Sequence, residues 1–529
     1  MPSSPIQTSG SPAAERSSGH WIQSEHGTRQ LKWLFLVIAV AFGYLYISLF
    51  SLSGIPYFRA GDQDFFWTYA CRLLSGQVFL RDFHQFTPPG TELVYAAVFH
   101  WFGASVRSIN WTILWLGVSL AVIIYFCARS VLRPSMAALA ALLCLVLLYG
   151  DRMDATHHWF SSPANLLAVL VLFPNRNWRR IAAAAAFIAF AAFFTQTRGA
   201  VGLLACCAGL WWERRNGLIS MRLLLSRLGL LVGTTFAVWL LLSWRFIAQA
   251  GLPNYWYAQV IYPPKDANFP TGFLIPQFTW SFHPIATLAL LDHVAMYLLL
   301  LLVCPCVLIL CARRRSKTYQ NTFALFLLAS LGALQTLEVI TMLNWNRMAA
   351  TAIPAMILVV WLISQMGPVR RAVVAASWCI IGAVILVQSV GARMYHYSLV
   401  DLRTGLALLR QDDAEELPWL VGHTRRGDAF FEVANTRLYA PLALRNPTPV
   451  DLLTIQDPTL PLWVTEAVNG LDQSRTQYIL WSQRSGIGTV EQMHELPSDH
   501  LDPLRAYMLQ AYVRIRVFAN GDEIWERRN

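Results

Sequence analysis

Long apolar runs dominate this chain and restrict the folds that it can adopt. Apolar residues make up 56% of the 529 residues and charged residues only 13%, a balance that soluble proteins do not usually have. An α-helix needs roughly 17 to 25 mostly apolar residues to cross about 30 Å of hydrocarbon. The composition therefore predicts a polytopic α-helical membrane protein.

The candidate membrane segments number about 11 to 13 and lie between residues 33 and 391. Segment 91–103 is short for a crossing, and it either spans the membrane or forms a half-helix beside the loop before it. The other segments are 33–53, 110–128, 134–150, 161–173, 181–198, 200–212, 223–244, 285–311, 320–343, 348–366 and 372–391.

Arginine and lysine residues cluster in alternate loops between these segments. Because such residues stay on the cytoplasmic side of short loops, the clusters predict a cytoplasmic N-terminus and an extracytoplasmic C-terminus. The predicted outer segments are 54–90, 151–160, 245–284, 344–347 and the chain after about residue 392. The same loops hold most of the basic residues behind the formal charge of +11. We therefore expect membrane lipids as partners and no nucleic acid.

Both ends of the chain differ from the predicted transmembrane domain, residues 31–391. Residues 1–30 are rich in serine and lack apolar periodicity, which predicts a disordered cytoplasmic tail. After residue 392, charges, prolines and short alternating runs replace the long apolar ones. Strands are predicted at 428–434, 477–482 and 512–519, and helices at 399–420, 462–473 and 501–511. We expect residues 392–529, the C-terminal domain, to be a small extracytoplasmic α/β domain.

The first outer loop, residues 54–90, carries many ionisable side chains next to an apolar segment. Asp62, Asp64, Asp82 and His84 all lie in it, ahead of a Pro-Pro-Gly sequence. Ionisable groups so close to lipid are expensive, so a cluster of them is a candidate functional site. We expect the chemistry of the protein in this loop.

An ordered pattern in this loop resembles a known family. An aspartate precedes an aromatic-rich helix that ends in A-x-x-L-L-x-G, and an Asp-containing turn and Pro-Pro follow. The positions are Asp62, Ala70, Leu73, Leu74, Gly76, Asp82, Pro88 and Pro89. The pattern is similar to the GT-C class of integral-membrane glycosyltransferases, in the family 39-like branch. That branch includes protein O-mannosyltransferases, the lipid A aminoarabinose transferase and lipopolysaccharide-core sugar transferases. Residues 427–449 and 511–528 resemble the outer domain of bacterial members.

The resemblance implies a GT-C fold and an inverting glycosyltransferase of the bacterial inner membrane. The implied donor is a polyprenyl-phosphate-linked sugar, and the implied acceptor is a cell-envelope glycan, lipid or protein at the outer face. Asp62 occupies the position of the family's catalytic aspartate, the base that takes the acceptor proton. Phe86-Thr87 stands where the aminoarabinose transferase pattern has Glu-Lys before Pro-Pro. The resemblance therefore does not specify the donor sugar.

Each candidate in the loop also has a structural alternative. Asp62 could instead cap the helix that follows it. Asp64 could bind substrate or interact with the dipole of the first helical turn. Asp82 and His84 could bind substrate, hold a divalent metal ion as cofactor, or form a hydrogen bond within the loop.

Two adjacent histidines in the second outer segment, His157 and His158, are further substrate-binding candidates. The resemblance supports them, because family members place an acidic or histidine residue in this loop. Adjacent residues cannot both face one side of a helix, so we expect only one of them to serve. The alternative is an ordinary polar interface, with Trp159 as a membrane-belt aromatic.

Three cations complete the candidate substrate-binding residues: Arg198, Lys265 and Arg347. The orientation places all of them in the outer half of the membrane or just beyond it, where a donor phosphate could satisfy them. Snorkelling to lipid headgroups explains each equally well when it is taken alone. Glu338 lies near the same side, and the sequence suggests no role for it.

Other function classes remain open at this point. One is a phospho-sugar transferase or polymer ligase with a diphosphate-linked donor. Another is a non-catalytic GT-C-like scaffold, and a third is a flippase or transporter of lipid-linked sugars. A transporter is expected to place ionisable residues at the bilayer midplane and to show symmetry between its halves. In this chain the charges cluster on one side and the halves differ, which favours an enzyme.

Overall fold

A computed structural model describes residues 13–59, 61–150, 153–262, 298–313, 319–341, 345–394, 397–410, 415–453, 460–482, 487–492 and 500–528. Helices make up most of these residues, and strands occur only in the described part of the C-terminal domain. This arrangement confirms the predicted fold class in outline.

Fifteen described helices precede the C-terminal domain, and the predicted apolar segments fall on them. Segment 91–103 is a complete helix, α3, and residues 285–297 lie outside the described residues. The helices are α1 Ala13–Leu49, α2 Gln63–Leu74, α3 Gly90–Phe102, α4 Val106–Arg129, α5 Pro134–Leu143, α6 His157–Leu172, α7 Trp178–Phe194, α8 Gln196–Arg215, α9 Met221–Ala250, α10 Leu252–Trp256, α11 Cys304–Arg313, α12 Tyr319–Thr341, α13 Trp345–Thr351, α14 Ile353–Ser364 and α15 Pro368–Met394. Three π-helical stretches continue or precede them: Cys144–Tyr149, Tyr257–Ile261 and Leu299–Val303.

Four of the described helices are long and apolar enough to cross a membrane. They contain the stretches Gln30–Leu49, Val106–Arg129, Met221–Ala250 and Asn321–Val339. Shorter apolar stretches accompany them at Pro134–Tyr149, Leu301–Arg313 and Ile353–Ser364. These lengths and compositions indicate a membrane protein.

Helix α1 begins inside the segment that is predicted to be a disordered tail, residues 1–30. It is helical from Ala13, and residues 1–12 lie outside the described residues. Lengthening an existing helix needs no new nucleation, so an apolar helix can carry helical structure into the polar residues before it. Helix α1 therefore starts within residues 1–30, which the lack of apolar periodicity had assigned to a disordered tail.

Alanine-rich α7 packs closely against its neighbouring helices. Helices α6 and α9 pack against it, and Ala184, Ala185 and Ala189 of α7 are fully buried. Small side chains allow helix backbones to approach closely, which favours helix association in lipid. The Thr235 hydroxyl of α9 also donates to the Ala185 carbonyl at 3.3 Å.

The C-terminal domain contains two described sheets. Strands β1 and β2 form an antiparallel hairpin, and a second sheet has the order β3-β4-β6-β5. Strands β3 and β4 are parallel, and the other pairs of the second sheet are antiparallel. The elements are β1 Tyr397–Leu402, β2 Gly405–Arg410, α16 Glu416–His423, β3 Phe430–Val433, α17 Tyr439–Leu442, α18 Pro461–Gln473, β4 Tyr478–Trp481, α19 Asp502–Ala511, β5 Tyr512–Val517 and β6 Glu523–Arg527.

Most elements predicted in this domain are confirmed, but the helix at 399–420 is wrong. Its first half is the β1–β2 hairpin, and only α16 at its end is helical. Strand β2 begins directly after the turn with Gly405 at φ +112°, a conformation that suits glycine. Strand β6 had no counterpart in the prediction.

One apolar core runs from the membrane helices into the C-terminal domain. Buried Leu409 and Phe430 belong to the same cluster as Leu45 of α1 and Ile113 of α4. The Phe58 N–H also donates to the Leu408 carbonyl at 2.8 Å, which ties the first outer loop to β2. The domain is therefore fixed directly over this loop.

Candidate active site

The A-x-x-L-L-x-G motif sets the end of α2. This helix ends at Leu74, and Gly76 follows in a left-handed conformation with φ +89°. The Gln77 N–H then donates to the Arg72 carbonyl at 3.1 Å and satisfies an acceptor in the last turn. A side chain at Gly76 would strain this turn, which explains the glycine in the motif.

The two aspartates at the start of α2 have different environments. Asp62 directly precedes the helix and is exposed, but its side chain makes no capping hydrogen bond within the described part of the chain. The Gly61 N–H instead donates to Asp64 Oδ2 at 3.1 Å, and Asp64 is only 2% exposed. Burial raises the pKa of the Asp64 carboxyl well above its ordinary value. Asp62 therefore does not serve as a helix cap.

A cavity of about 790 Å³ lies beside Asp62. The first outer loop, α2, the start of α6, the residues around α10, α13 and the C-terminal domain all contribute to its walls. The predicted site residues that line it are Asp62, His84, His157, His158 and Arg347. The walls are mostly apolar, with Phe65, Phe66, Tyr69, Leu80, Tyr257 and Tyr262 among the contributing side chains.

Both histidines at the start of α6 line the cavity, whereas the sequence predicts that only one of them serves. His157 and His158 are the first two residues of the helix, and their ring centroids lie 3.9 Å apart. Adjacent residues point in different directions around the axis of a helix, so they cannot both face a surface alongside it. At the helix terminus both side chains can border the space beyond the first turn.

Arg198 lies near the cavity without lining it. It is fully buried, and its Nε lies 3.2 Å from Oε2 of Glu338. Its Nη1 donates to the His158 carbonyl at 2.9 Å, which holds the first turn of α6. A carboxylate of the protein thus accompanies this cation where the sequence suggested a lipid phosphate. The contact also gives Glu338 a role.

Asp82 and His84 point to different surroundings. Asp82 Oδ2 accepts from the Val78 N–H at 2.7 Å, and the Arg81 guanidinium pairs with the same carboxylate. The hydrogen bond from Arg81 lowers the pKa of Asp82. His84 lines the cavity, but Asp82 does not. Lys265 lies outside the described residues.

The residues present therefore do not fit a divalent metal ion held by Asp82 and His84. The described part of the chain contains no group of three or more histidine, cysteine, aspartate or glutamate side chains arranged to hold a metal ion. Strong protein sites for divalent cations usually gather several such ligands. We derive no chemical step through a metal.

The C-terminal domain forms one wall of the cavity through α18. The His84 ring stacks on Trp463 with centroids 4.9 Å apart, and its Nε2 lies 2.7 Å from Oε2 of Glu466. The Tyr262 ring lies 5.2 Å from Trp463 on the cavity wall. Trp463 and Glu466 could not be predicted as site residues, because contacts between distant positions leave no local pattern in the sequence.

A buried ion network lies in the C-terminal domain beside α2. Arg437 contacts three carboxylates, those of Glu416, Glu432 and Asp522. Burial raises the pKa of Glu432 to about 7 and that of Glu416 to about 8. The charge of Asp522 adds to this rise, so proton uptake by the glutamates relieves the repulsion between neighbouring carboxylates.

No protein-family model matches the chain, and no curated protein matches it by sequence. Solved structures match its fold. ArnT from Cupriavidus metallidurans, bound to undecaprenyl phosphate, has a TM-score of 0.55 at 11% identity, over 93% of this chain and 98% of ArnT. The Archaeoglobus fulgidus oligosaccharyltransferase tethered with an acceptor peptide has a TM-score of 0.54 at 10% identity, over 94% of this chain and 74% of that one. Its complex with Zn and sulfate has a TM-score of 0.51 at 11% identity, over 93% and 73% of the chains. Both neighbours are GT-C glycosyltransferases, and the chain therefore has the GT-C fold that the resemblance predicts.

Proposed function

We propose that the protein is an inverting glycosyltransferase that moves a sugar from a polyprenyl-phosphate donor to a cell-envelope acceptor. The acceptor is a glycan, lipid or protein. One observation carries the proposal: Asp62 lines a large cavity in a GT-C fold without capping the helix that it precedes. A carboxylate that makes no capping hydrogen bond among the described residues and lies beside a substrate-sized cavity is suited to act as a general base.

In the proposed reaction, Asp62 takes the proton of an acceptor hydroxyl or amine as that group attacks the anomeric carbon. The new bond forms at this carbon while the bond to the phosphate oxygen breaks, and the phosphate leaves with the bonding electron pair. Attack from the face opposite the leaving group inverts the anomeric carbon. A phosphate monoester needs no general acid, so one carboxylate is sufficient for the proton transfer.

The remaining cavity residues suit the other parts of the donor. Arg347 supplies a positive charge for the phosphate as its negative charge grows. His157 and His158 border the same space and can donate hydrogen bonds to phosphate or sugar oxygens. Apolar walls, including Phe65 and Tyr257, suit the polyprenyl chain. ArnT, which shares the fold, has been solved with undecaprenyl phosphate, and this supports a donor of that class.

We place the cavity at the outer face of a bacterial inner membrane, with the N-terminus in the cytoplasm and the C-terminal domain in the periplasm. The loop charges support this orientation. The Archaeoglobus neighbour has been solved with Zn, so a divalent metal ion is a candidate cofactor here too, but one that the Asp82 and His84 pair would not hold. Adding and chelating magnesium and manganese in the transfer assay tests this candidate.

The proposal is tested with the full-length protein in lipid nanodiscs. A panel of radiolabelled undecaprenyl-phosphate sugars is offered with solubilised envelope extract as the acceptor source, and labelled product is measured. Wild type and Asp62→Asn are compared with Asp401→Asn, a matched control at an exposed carboxylate on β1. Removing a general base is expected to slow transfer by about 10² to 10⁴-fold.

Transfer by wild type and by Asp401→Asn, with loss in Asp62→Asn, is the expected result. Full activity of Asp62→Asn would overturn the assignment of the base. Absence of turnover with every donor, in folded protein that binds undecaprenyl phosphate, would favour a scaffold or a flippase instead.

A further inference from the structure

Arginines gather where α7 begins, α8 ends and α9 begins, on the face that the loop charges assign to the cytoplasm. Residues 174–180 and 213–227 contain seven arginines and one carboxylate, that of Glu213. None of the seven lines the cavity beside Asp62. We call them the arginine cluster: Arg176, Arg179, Arg180, Arg214, Arg215, Arg222 and Arg227.

Glu213 shows that the three chain segments meet. It lies in the last turn of α8 and is only 2% exposed. Its carboxylate pairs with Arg176, which precedes α7, and its Oε2 lies 2.9 Å from Nη1 of Arg227 in α9. The single carboxylate is thus shared by two arginines, and most of the positive charge of the cluster is left without an anion.

Five members of the cluster make no ion pair with a carboxylate in the described part of the chain: Arg179, Arg180, Arg214, Arg215 and Arg222. Arg214 is half-buried, and its Nε is enclosed without a hydrogen-bond partner among the described residues. An enclosed N–H without an acceptor is costly, and neighbouring like charges repel each other. These positions therefore need an anion.

The helix dipoles increase this need at two of the three segments. Arg179 is the second residue of α7, and Arg222 is the second residue of α9. The first turn of a helix carries partial positive charge, so it disfavours a cation and favours an anion. The side chain of Ser220 caps α9 by accepting from the Leu223 N–H at 3.2 Å, which leaves the guanidinium of Arg222 exposed beside this helix start. Local structure therefore does not explain arginines at these two positions.

The side chains around the cluster indicate where the anion comes from. Apolar residues beside it are strongly exposed, among them Trp178, Leu218, Met221 and Leu223. The Arg179 Cζ lies 5.2 Å from the centroid of the Trp178 ring. A soluble anion would leave these apolar surfaces in water. A phospholipid covers them with acyl chains while its phosphate contacts the arginines, as basic pockets between membrane helices do for anionic headgroups.

We propose that the arginine cluster binds the headgroup of an anionic phospholipid in the cytoplasmic leaflet. The phosphate lies at the junction of α7, α8 and α9 and supplies the negative charge that Glu213 alone does not provide. Binding at this junction needs neither turnover nor the cavity beside Asp62, so it is independent of the proposed transfer.

The test uses the full-length protein in detergent, with cardiolipin, phosphatidylglycerol or phosphatidylcholine added as probes. Native mass spectrometry measures the fraction of protein that retains each lipid. Wild type is expected to retain the two anionic lipids at concentrations about tenfold below those needed for phosphatidylcholine, because several arginines contact the net negative headgroup.

The key variant is Arg215→Gln/Arg222→Gln. Both residues are exposed and make no hydrogen bond or ion pair through their side chains among the described residues, so the fold is expected to persist. The half-saturating concentration of anionic lipid is expected to rise about tenfold or more. The matched control is Arg370→Gln/Arg371→Gln, which removes the same charge from the first turns of α15 in another predicted cytoplasmic loop. The control is expected to stay within about twofold of wild type.

Thermal unfolding in the same detergent supplies a second readout. Melting temperatures without lipid should be equal in wild type and both variants, which checks the fold. Cardiolipin is expected to raise the melting temperature of wild type and of the control more than that of Arg215→Gln/Arg222→Gln.

Three results would overturn the proposal. Equal retention of phosphatidylcholine and the anionic lipids by wild type would mean that the headgroup charge is not recognised. An equal loss of anionic lipid in the control would reduce the cluster to general attraction by loop charges. A rise in melting temperature with inorganic phosphate as large as that with cardiolipin would identify a soluble anion as the ligand.

Discussion

His84 and Glu466 are 382 positions apart in the chain, yet the imidazole Nε2 lies 2.7 Å from the carboxylate Oε2. The contact joins the first outer loop to α18 on the cavity wall, where His84 also stacks on Trp463. The two side chains are 31% and 34% exposed, so water screens the pair and its contribution to stability is small. The stacked rings of His84 and Trp463 both line the cavity, whereas Glu466 lies behind them.

The separate contributions of the His84–Glu466 contact and of the His84–Trp463 stack can be measured. We expect Trp463→Ala to slow transfer about tenfold, because it removes the ring that contacts both His84 and Tyr262 and loosens the positioning of the substrate. We expect Glu466→Gln to change the free energy of unfolding by less than about 1 kcal/mol. Trp211→Ala, at an exposed residue of α8, is the control. A larger loss of transfer activity in Glu466→Gln than in Trp463→Ala would contradict the view that the Trp463 ring matters more than the Glu466 carboxylate.

Arg347 and Arg198 should have separable effects. Arg347→Gln is expected to weaken binding of undecaprenyl phosphate about tenfold or more with little change in stability, because it removes a cavity cation. Arg198→Gln is expected to lower the free energy of unfolding by about 3 kcal/mol, because it takes the guanidinium away from buried Glu338. Binding isotherms and thermal unfolding in nanodiscs check both. The assignment fails if Arg198→Gln weakens phosphate binding at unchanged stability.

The aspartates at 62 and 64 should respond differently to the same replacement. Burial keeps the pKa of Asp64 high, so asparagine, which is neutral and keeps an acceptor oxygen for the Gly61 N–H, is expected to be tolerated there. Asp64→Leu removes that acceptor and is expected to cost about 1–3 kcal/mol of stability. Thermal unfolding and transfer activity are measured for both variants. Loss of transfer in Asp64→Asn with normal stability would point to a direct role for this carboxylate.

The Arg437 network should make stability fall as pH rises. Burial raises the pKa of Glu432 to about 7 and that of Glu416 to about 8, above the ordinary value of about 4.5. Between about pH 4.5 and these raised values, the folded state therefore binds more protons than the unfolded state. Their contribution is complete below about pH 4.5 and is lost as pH rises through about 7 to 8. Melting temperatures at pH 5.5 and 8.5 check the direction. Glu416→Gln is expected to reduce the difference, and a melting temperature that rises towards pH 8.5 would contradict it.

Two glycines of the active-site region should resist replacement for different reasons. Gly76→Ala is expected to cost about 1–2 kcal/mol, because φ +89° is unfavourable for any other residue although the surrounding space is open. Gly90→Ala is expected to cost more, because its Cβ would lie 2.6 Å from the Phe193 carbonyl oxygen. Gly43→Ala in α1 has neither problem and is expected to retain full stability. Denaturant or thermal unfolding in nanodiscs ranks the three variants, and a Gly76→Ala protein as stable as Gly43→Ala would contradict the argument.

Features encoded by neighbouring residues could be predicted from the sequence. Apolar length located the membrane helices, and A-x-x-L-L-x-G located the end of α2 through Gly76. The error at 399–420 arose because apolar residues such as Leu399, Leu402, Leu406 and Leu409 satisfy helical spacing as well as a hairpin. Pairing between strands, which decides the matter, depends on backbone contacts that composition does not record.

In the candidate site, too, only features encoded by neighbouring residues could be predicted. Asp62 and His84 lie in one loop, so the cluster of ionisable residues in that loop pointed to both of them. Arg198 was visible as a cation that needs an anion, but the sequence cannot distinguish a lipid phosphate from Glu338, which lies 140 positions away. Trp463 gave no signal, because its contact with His84 depends on the position of the C-terminal domain.

The cavity wall also sets an order of events during biosynthesis. A ribosome makes Asp62 some four hundred residues before Trp463, and the two lie on the same cavity only in the finished chain. An incomplete chain that has inserted its helices still lacks the wall formed by α18. Truncated products that end before α18 are thus expected to lack the transfer activity that we propose, because they cannot complete the cavity wall.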